Sequence, residues 1–320
     1  MKTAVTTSAV EAAAFIMRGG VVAFPTETVY GLGANVFDEA AVAKIFEAKR
    51  RPADNPLIAH VATREQIGSL AVDITESADK FIDEFFPGPL TVVLKKREIV
   101  PQIATAGLET IGIRMPRFGL ANEFLRACGV PIVAPSANIS GRPSPTTWEA
   151  VLEDLDGRID CILQGEPTEI GLESTVVDCT GNIPILLRAG SVSLEQLRSV
   201  VPETRELLTD DPKFARSPGL LHKHYSPKAE VVLVPGPNNE TQSRTPLITK
   251  GRSAFIGLHT VEGRFELVNK CSSIDEYAHS LFEFFRTCDR QSIDTIYCEP
   301  VPLTGIGTAL MDRLTRAAEG

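Results

Sequence analysis

Short β-branched runs alternate with amphipathic helical stretches through the first two-thirds of the 320 residues, predicting an α/β protein built on a large twisted mixed sheet with flanking helices. Two further observations refine this. Some strand-like runs follow one another with no room for a helix, as "STVVD" and "PILLRA" do, so part of the sheet must be antiparallel. Strands and helices also return after a long aperiodic stretch, which predicts a second, smaller C-terminal α/β domain. The chain is long enough for two such units.

Taken in order, Ser8 and Glu11 have the spacing of a capping box and open a first helix that ends near Gly19-Gly20. "VVAF", Val21 to Phe24, reads as a buried strand stopped by Pro25. "PTETVYGLGAN", Pro25 to Asn35, then reads as a loop at the end of that strand. Asp38 caps a second helix with Val42, Ile45 and Phe46 on one face, running into Lys49 and ending before Pro52. "PLIAHV", "LTVVL", "IGIRMP", "PIVAPS", "DCILQ", "STVVD" and "PILLRA" supply the remaining strands.

From about Glu203 to Lys228 the periodicity fails, and boundaries follow: a first domain over 1–204, a linker over 205–228 and a second domain over 229–320. In the second domain "EVVLVP", "SAFIGL" and "TIYCEP" are strands. One helix runs from a Ser273 cap, paired with Glu276, to about Asp289, and another from Gly307 to Ala318. Between its first two strands, "GPNNETQSRTPLITKGR" is polar and rich in Pro and Gly, which predicts an exposed, mobile connection.

The formal net charge of −9 supplies no overall field for phosphate backbones, so any nucleotide or nucleic-acid site must be a local basic cluster. Six cysteines, Cys128, Cys161, Cys179, Cys271, Cys288 and Cys298, form no Cys-x-x-Cys pair, which suits reduced thiols in a cytoplasmic protein. No segment has the length of a membrane span, Glu11 interrupts the N-terminal apolar run, and no targeting signal is expected.

The local cluster is "AKRRPADNPL", Ala48 to Leu57. Lys49 and Arg50 can simply close a helix, where positive charge complements the dipole. Pro52 and Pro56, however, stiffen the segment after the cations around Asn55, and a pre-organised loop carrying a Lys and an Arg fork suits polyphosphate oxygens. "APSANISGRPSPT", Ala134 to Thr146, follows the strand "PIVA" and offers hydroxyl, amide and backbone donors where open α/β sheets hold ligands; a plain polar turn has the same composition. It contains neither a Walker A pattern nor G-x-G-x-x-G. "PTETVYGLGAN" adds Thr26, Glu27, Thr28 and Tyr30. Arg114 within "IGIRMP" must be paired or hold a carboxylate, as a buried guanidinium does. His60, Glu173, Ser174, Thr175 and Arg188 are individually weak signals, and nothing pairs His60 with a nucleophile.

Together these strings resemble the YrdC-like family, and nearly all 320 residues resemble the long two-domain form of the L-threonylcarbamoyladenylate synthases. The specific parts are "PTETVYGLGAN", Lys49-x-Arg51 followed by Asn55-Pro56-Leu57, the Ser136-Ala137-Asn138 triplet, and "SPGLLHKHYSP" in the linker. The resemblance implies a reaction joining L-threonine, bicarbonate and ATP into threonylcarbamoyl-AMP with release of pyrophosphate. Magnesium is held mainly by ATP phosphates, and a downstream transferase system modifies tRNA beside the anticodon. It implies threonine at Thr28, His60, Arg114, Ala134 and Ser174. ATP is implied at Lys49, Arg51, Asn55, Thr110, Ser136, Asn138, Ser144 and Arg188, with Lys49 and Arg51 stabilising the departing pyrophosphate. Tyr225 and Ser226 of the linker are implied to bind ATP as well, folding over the site as part of a lid. The competing class is an RNA-binding module without chemistry of its own, expected to bind with steep salt dependence. A related carbamoyl-transfer or maturation role and a nucleotide sensor are further alternatives. Direct tRNA binding is left open.

Overall fold

The computed structural model describes residues 2–207, 225–234, 251–259 and 262–319. Its first unit contains β1 (Ala4–Thr6), α1 (Ala9–Ile16), β2 (Val22–Phe24), β3 (Gly31–Asn35), α2 (Glu39–Lys49), β4 (Ile58–His60), α3 (Arg64–Leu70), β5 (Ala71–Val72) and α4 (Glu76–Phe85). It continues with β6 (Leu90–Lys96), α5 (Gln102–Thr105), β7 (Thr110–Arg114), α6 (Gly119–Cys128), β8 (Ile132–Val133), α7 (Trp148–Leu155), β9 (Cys161–Leu163), β10 (Thr175–Asp178), β11 (Ile185–Arg188), α8 (Leu194–Val200) and β12 (Arg205–Glu206). The second unit holds β13 (Glu230–Leu233), β14 (Ser253–Gly257), β15 (Leu267–Lys270), α9 (Ile274–Arg290), β16 (Thr295–Cys298) and α10 (Ile306–Ala318).

The first twelve strands form one mixed sheet in the order β1-β9-β2-β3-β8-β4-β7-β6-β10-β11-β12, with β5 alongside β6. "STVVD" and "PILLRA" are the antiparallel pair β10 and β11, as their short connection requires. Helices cover both faces. Phe81, Leu70, Leu94 and Ile45 sit in one core, while Ile16, Phe24, Phe124 and Leu125 sit in another under α1 and α6. The second unit is a parallel sheet of order β13-β16-β14-β15 packed by α9 and α10. Its apolar core reaches across to take in Val29 and Leu172 of the first unit.

Local readings hold in part. Asp38 caps α2 through the Ala41 amide at 3.0 Å, and Ser273 caps α9 through the Glu276 amide at 3.1 Å. At α1 the box is only half made: Ser8 Oγ accepts from the Glu11 amide, but the Glu11 carboxylate accepts from Thr6 Oγ1 at 2.5 Å instead of returning to the cap. The segment "GLGAN", expected within a loop, is strand β3, paired antiparallel to β2 and β8. A Cβ on Gly33 would lie 2.7 Å from Ile132 Cγ2 and 3.0 Å from Phe24 Cε1, so its glycine lets neighbouring strands' side chains press onto the backbone. β12 pairs with β11, so the large sheet runs two residues past Thr204 into the stretch read as linker. Residues 208–224 of that linker, which include most of "SPGLLHKHYSP", and most of the polar connection over 236–252 lie outside the described residues.

Candidate functional site

A cleft opens where the loops after β2 and β8 and the chain leading into β4 and β10 meet the ends of β4, β7 and β11. Its wall includes Thr28, His60, Arg114, Ala134 and Ser174, and also Arg51, Ser136, Asn138, Ser144, Arg188 and Tyr225. Sequence-distant residues implied for two different ligands therefore share one cavity.

Arg114 ends β7, beside His60 at the end of parallel β4. Its Nη1 donates to Thr28 Oγ1 at 2.7 Å, and its Nε to the Gly88 carbonyl at 3.3 Å. Its Nη2 lies 2.8 Å from Glu27 Oε1, with both side chains buried. The sequence left a choice between a paired arginine and a carboxylate holder; the structure gives Arg114 a buried partner and a place on the cleft wall. A guanidinium has five N–H groups, so these contacts do not exhaust it. His60 is buried against the edge of Phe24, with ring centroids 5.7 Å apart. Burial, helped by Arg114, pushes its pKa down to about 3, so the ring is neutral near pH 7. Ala134 donates its amide to Ile58 O at 2.8 Å, and Ser174 Oγ shares a 2.8 Å hydrogen bond with Thr91 Oγ1.

Arg188 clamps Ser174: Nε and Nη2 donate to its carbonyl at 3.1 and 2.9 Å. Burial lowers the Arg188 pKa, and burial likewise brings Arg51 down to about 10; both stay cationic near neutrality. Arg51 reaches the Asn55 and Pro56 carbonyls only at 3.4 and 3.5 Å, and faces the cleft. Asn55 is buried beneath the same loop.

Lys49 takes a different place. It is 1% exposed, off the cleft wall, and its Nζ donates to the carbonyls of Ser136 and Asn138. Burial first, then Arg51, drives its pKa well down. Paired in the sequence with Arg51 as an ATP contact, it stands instead behind the Ser-x-Asn loop and ties its backbone. Asn138 finishes that tie, donating Nδ2 to the Ile139 and Arg142 carbonyls at 2.9 and 2.8 Å, while Ser136 Oγ donates to Asn138 Oδ1 at 2.5 Å. Thr110 lies apart. It starts β7, four residues from Arg114, and lines a second cavity that shares Pro56 and Leu57 with the first.

Ser144 Oγ donates to Glu173 Oε1 at 2.5 Å. Tyr225 is buried, stacked on Phe282 at 5.4 Å between centroids, and lines the cleft; the Ser226 amide donates to Gly141 O at 3.0 Å. Burial, with Glu173 nearby, raises the Tyr225 pKa, so its phenol stays protonated.

The sequence did not single out Arg142 on the wall, nor Asp154, Arg286 and Arg313 behind it. A signal existed for the last two: each is an arginine on an apolar helical stripe, Arg286 after Phe282 and Phe285, Arg313 between Leu310 and Leu314. All six cysteines are unpaired and buried, and no helix among the described residues is long and apolar enough to cross a membrane.

Comparison with known proteins matches these observations. The family profile described as "Telomere recombination" matches residues 14–190, and the profile "Threonylcarbamoyl-AMP synthase, C-terminal domain" matches residues 192–319. The threonylcarbamoyl-AMP synthase of Pyrococcus abyssi is 45% identical over 316 residues, covering 96% of this chain and 93% of that protein. The Bacillus subtilis enzyme of the same name is 42% identical, covering 97% and 92%. The crystal structure of P. abyssi Sua5 complexed with L-threonine superposes with a TM-score of 0.91 at 42% identity, covering 99% of this chain and 97% of that one. A Mycobacterium tuberculosis relative, a putative threonylcarbamoyl-AMP synthase, is 36% identical over 60% of this chain and 88% of its own length. The chain belongs to the threonylcarbamoyl-AMP synthase family of enzymes, in its two-domain form.

Proposed function

We propose that this chain condenses L-threonine, bicarbonate and ATP into threonylcarbamoyl-AMP, releasing pyrophosphate and water. The carrying observation is the single cleft in which Arg114, Thr28 and His60 lie beside Arg51, Ser144 and Arg188. Arg114 holds the threonine carboxylate with its remaining N–H groups, while Glu27 behind it keeps the guanidinium in place. Neutral His60 and Ser174 orient the rest of the amino acid. The threonine nitrogen takes up bicarbonate carbon with loss of water, and a carbamate oxygen attacks the α-phosphorus as the bond to pyrophosphate breaks. Charge builds on that leaving group, and the fixed cations Arg51 and Arg188 lower the barrier by facing it.

Ser136, Ser144 and Tyr225 line the nucleotide side, and Lys49 with Asn138 shapes the loop that carries the serines. Asn55 and Thr110, next to the Pro56-Leu57 segment, extend that side toward the second cavity. Magnesium enters as part of the Mg–ATP substrate. The unpaired, buried cysteines fit work in the cytoplasm, and the labile product is passed to a transferase system acting on tRNA. The RNA-binding alternative draws no support: Arg51, Arg114 and Arg188 line a cleft instead of spreading over an exposed face.

The test is pyrophosphate release from Mg–ATP with L-threonine and bicarbonate each omitted in turn, with mass detection of the adenylate. Release that needs both, with the product mass present, is the expected result. Release independent of threonine would overturn the assignment.

A further inference from the structure

Two arginines of the second domain are fully buried, at 0% exposure, and both reach into the first. Arg313 on α10 donates Nε to Glu173 Oε2 at 3.1 Å and Nη1 to the Ala189 carbonyl at 3.0 Å. Glu173 uses its other oxygen to accept from Ser144, so Arg313 and Ser144 compete for nothing and share one carboxylate. The Arg313 guanidinium also lies over the Tyr225 ring, 5.4 Å from its centroid, and that ring is itself stacked on Phe282.

Arg286 on α9 grips Asp154 with two bonds, 3.1 and 3.0 Å, and donates to the Pro143 carbonyl at 2.6 Å. Asp154 in turn accepts from the Ile139 amide at 3.2 Å and pairs with Arg142. The loop between Asn138 and Ser144 is thus held from the first domain by Lys49 and from the second by Arg286. A buried arginine is costly to desolvate, and a hydrophobic residue would close the same interface at least as well. What the arginines add is direction: each bond fixes a group whose far side is on, or one residue from, the cleft wall.

We propose that Arg313 and Arg286 are positioning residues, which act through Glu173 and Asp154 to fix Ser144 and the 138–143 loop, so that the second domain completes the nucleotide side of the cleft. The inference rests on the functional reading above for its choice of ligand. Neither arginine touches substrate. Their removal acts mainly on ATP: the threonine contacts Arg114, Thr28 and His60 lie on other elements, and Ser174, the neighbour of Glu173, is held separately by Thr91 and Arg188.

The test is a double-mutant cycle on the whole chain, Arg313→Met with Ser144→Ala, measuring KM for Mg–ATP and for L-threonine separately. Arg313→Met is expected to raise KM for ATP about tenfold and to change KM for threonine less than about twofold. In the Ser144→Ala background the ATP effect is expected to shrink to about twofold or less, because the group being positioned is gone. Fold-effects that multiply, or equal changes in both constants, overturn the proposal. Should Arg313→Met fold poorly, Arg313→Lys keeps a cation for Glu173 but loses the fork, and a smaller rise confined to ATP is expected. Hydrogen exchange of the amides over 139–144 in Arg286→Met separates this inference from the functional reading. Exchange there faster by about tenfold through local opening, at exchange times too short for the β6 and β7 amides to exchange by global unfolding, supports positioning even if the wild-type chain makes no adenylate; unchanged exchange over 139–144 overturns it.

Discussion

The three cations of "AKRRP" have three fates. Lys49, on the last turn of α2, points inward and holds the Ser136 and Asn138 carbonyls. Arg50 is exposed and, with φ of 51°, forms the left-handed end of the helix. Arg51, one residue later, turns into the cleft. Arg51→Ala should therefore lower kcat/KM for Mg–ATP by about 10²–10³ with little change in unfolding midpoint. Lys49→Ala should also cost activity, but with a stability loss of about 1–3 kcal/mol, since two buried carbonyls lose their donor. A Lys49→Ala protein of wild-type stability would move that amine to the cleft wall. His60 makes a pH-dependent contribution whose sign is set by burial. Its folded pKa of about 3 lies below the ordinary 6.5, so between those values the unfolded chain binds the extra proton. Stability is full above pH 6.5 and falls as the pH drops toward 3, at about 1.4 kcal/mol per pH unit for a full proton. Denaturation of wild type and His60→Gln at pH 7 and 4.5 should show a shallower loss in the variant, and identical slopes would mean the ring is charged in the fold.

At the scale of elements, strands rich in Val, Ile and Leu were legible because β-branched runs bounded by Pro and Gly have few other uses. β3 was not, because two of its five residues are glycine, and glycine argues against a strand until its neighbours are known. Those neighbours are Phe24 on β2 and Ile132 on β8, and only pairing reveals the space they need. Gly33→Ala should thus cost about 1–3 kcal/mol by overpacking, against the usual gain from replacing glycine in a strand. Urea midpoints decide it; a stabilised variant would mean that β2 and β8 can part to admit a methyl. The site was legible in the same uneven way. Arg51, Ser136 and Arg114 stand in compact strings, the first just past a helix end and the other two at strand ends where ligands gather, whereas Asp154, Arg286 and Arg313 have partners 132 and 140 residues away and no local string to announce them. Lys49 shows the opposite limit: the string was noticed, but adjacency in sequence says nothing about which side of a loop a lysine approaches.

For the whole molecule, the boundary drawn in sequence is not a boundary in energy. The second core takes in Val29, Leu172 and Tyr225, Gly171 lies where any Cβ would meet the backbone of His279, and Asp154 and Arg286 pair across the boundary with both side chains buried. Separate domains would expose the apolar surface of that shared core and hydrate these charges, so the second domain has no independent core of the present size. Unfolding is expected to be a single transition in spite of two sheets. Trp148, the one tryptophan in the chain, opens α7 in the first domain and reports that half alone, while far-UV circular dichroism reports both. The two signals should coincide in urea. Arg286→Met should move both midpoints together, by about 1–3 kcal/mol, because buried Asp154 loses two charged hydrogen bonds and keeps only Arg142 and the Ile139 amide. Asp154→Asn added to that variant should restore part of the loss, since a buried charge with one remaining ionic partner is then removed. A Trp148 transition that stays at its wild-type midpoint while the dichroism shifts would show that the domains unfold apart, and that the arginines only decorate their contact.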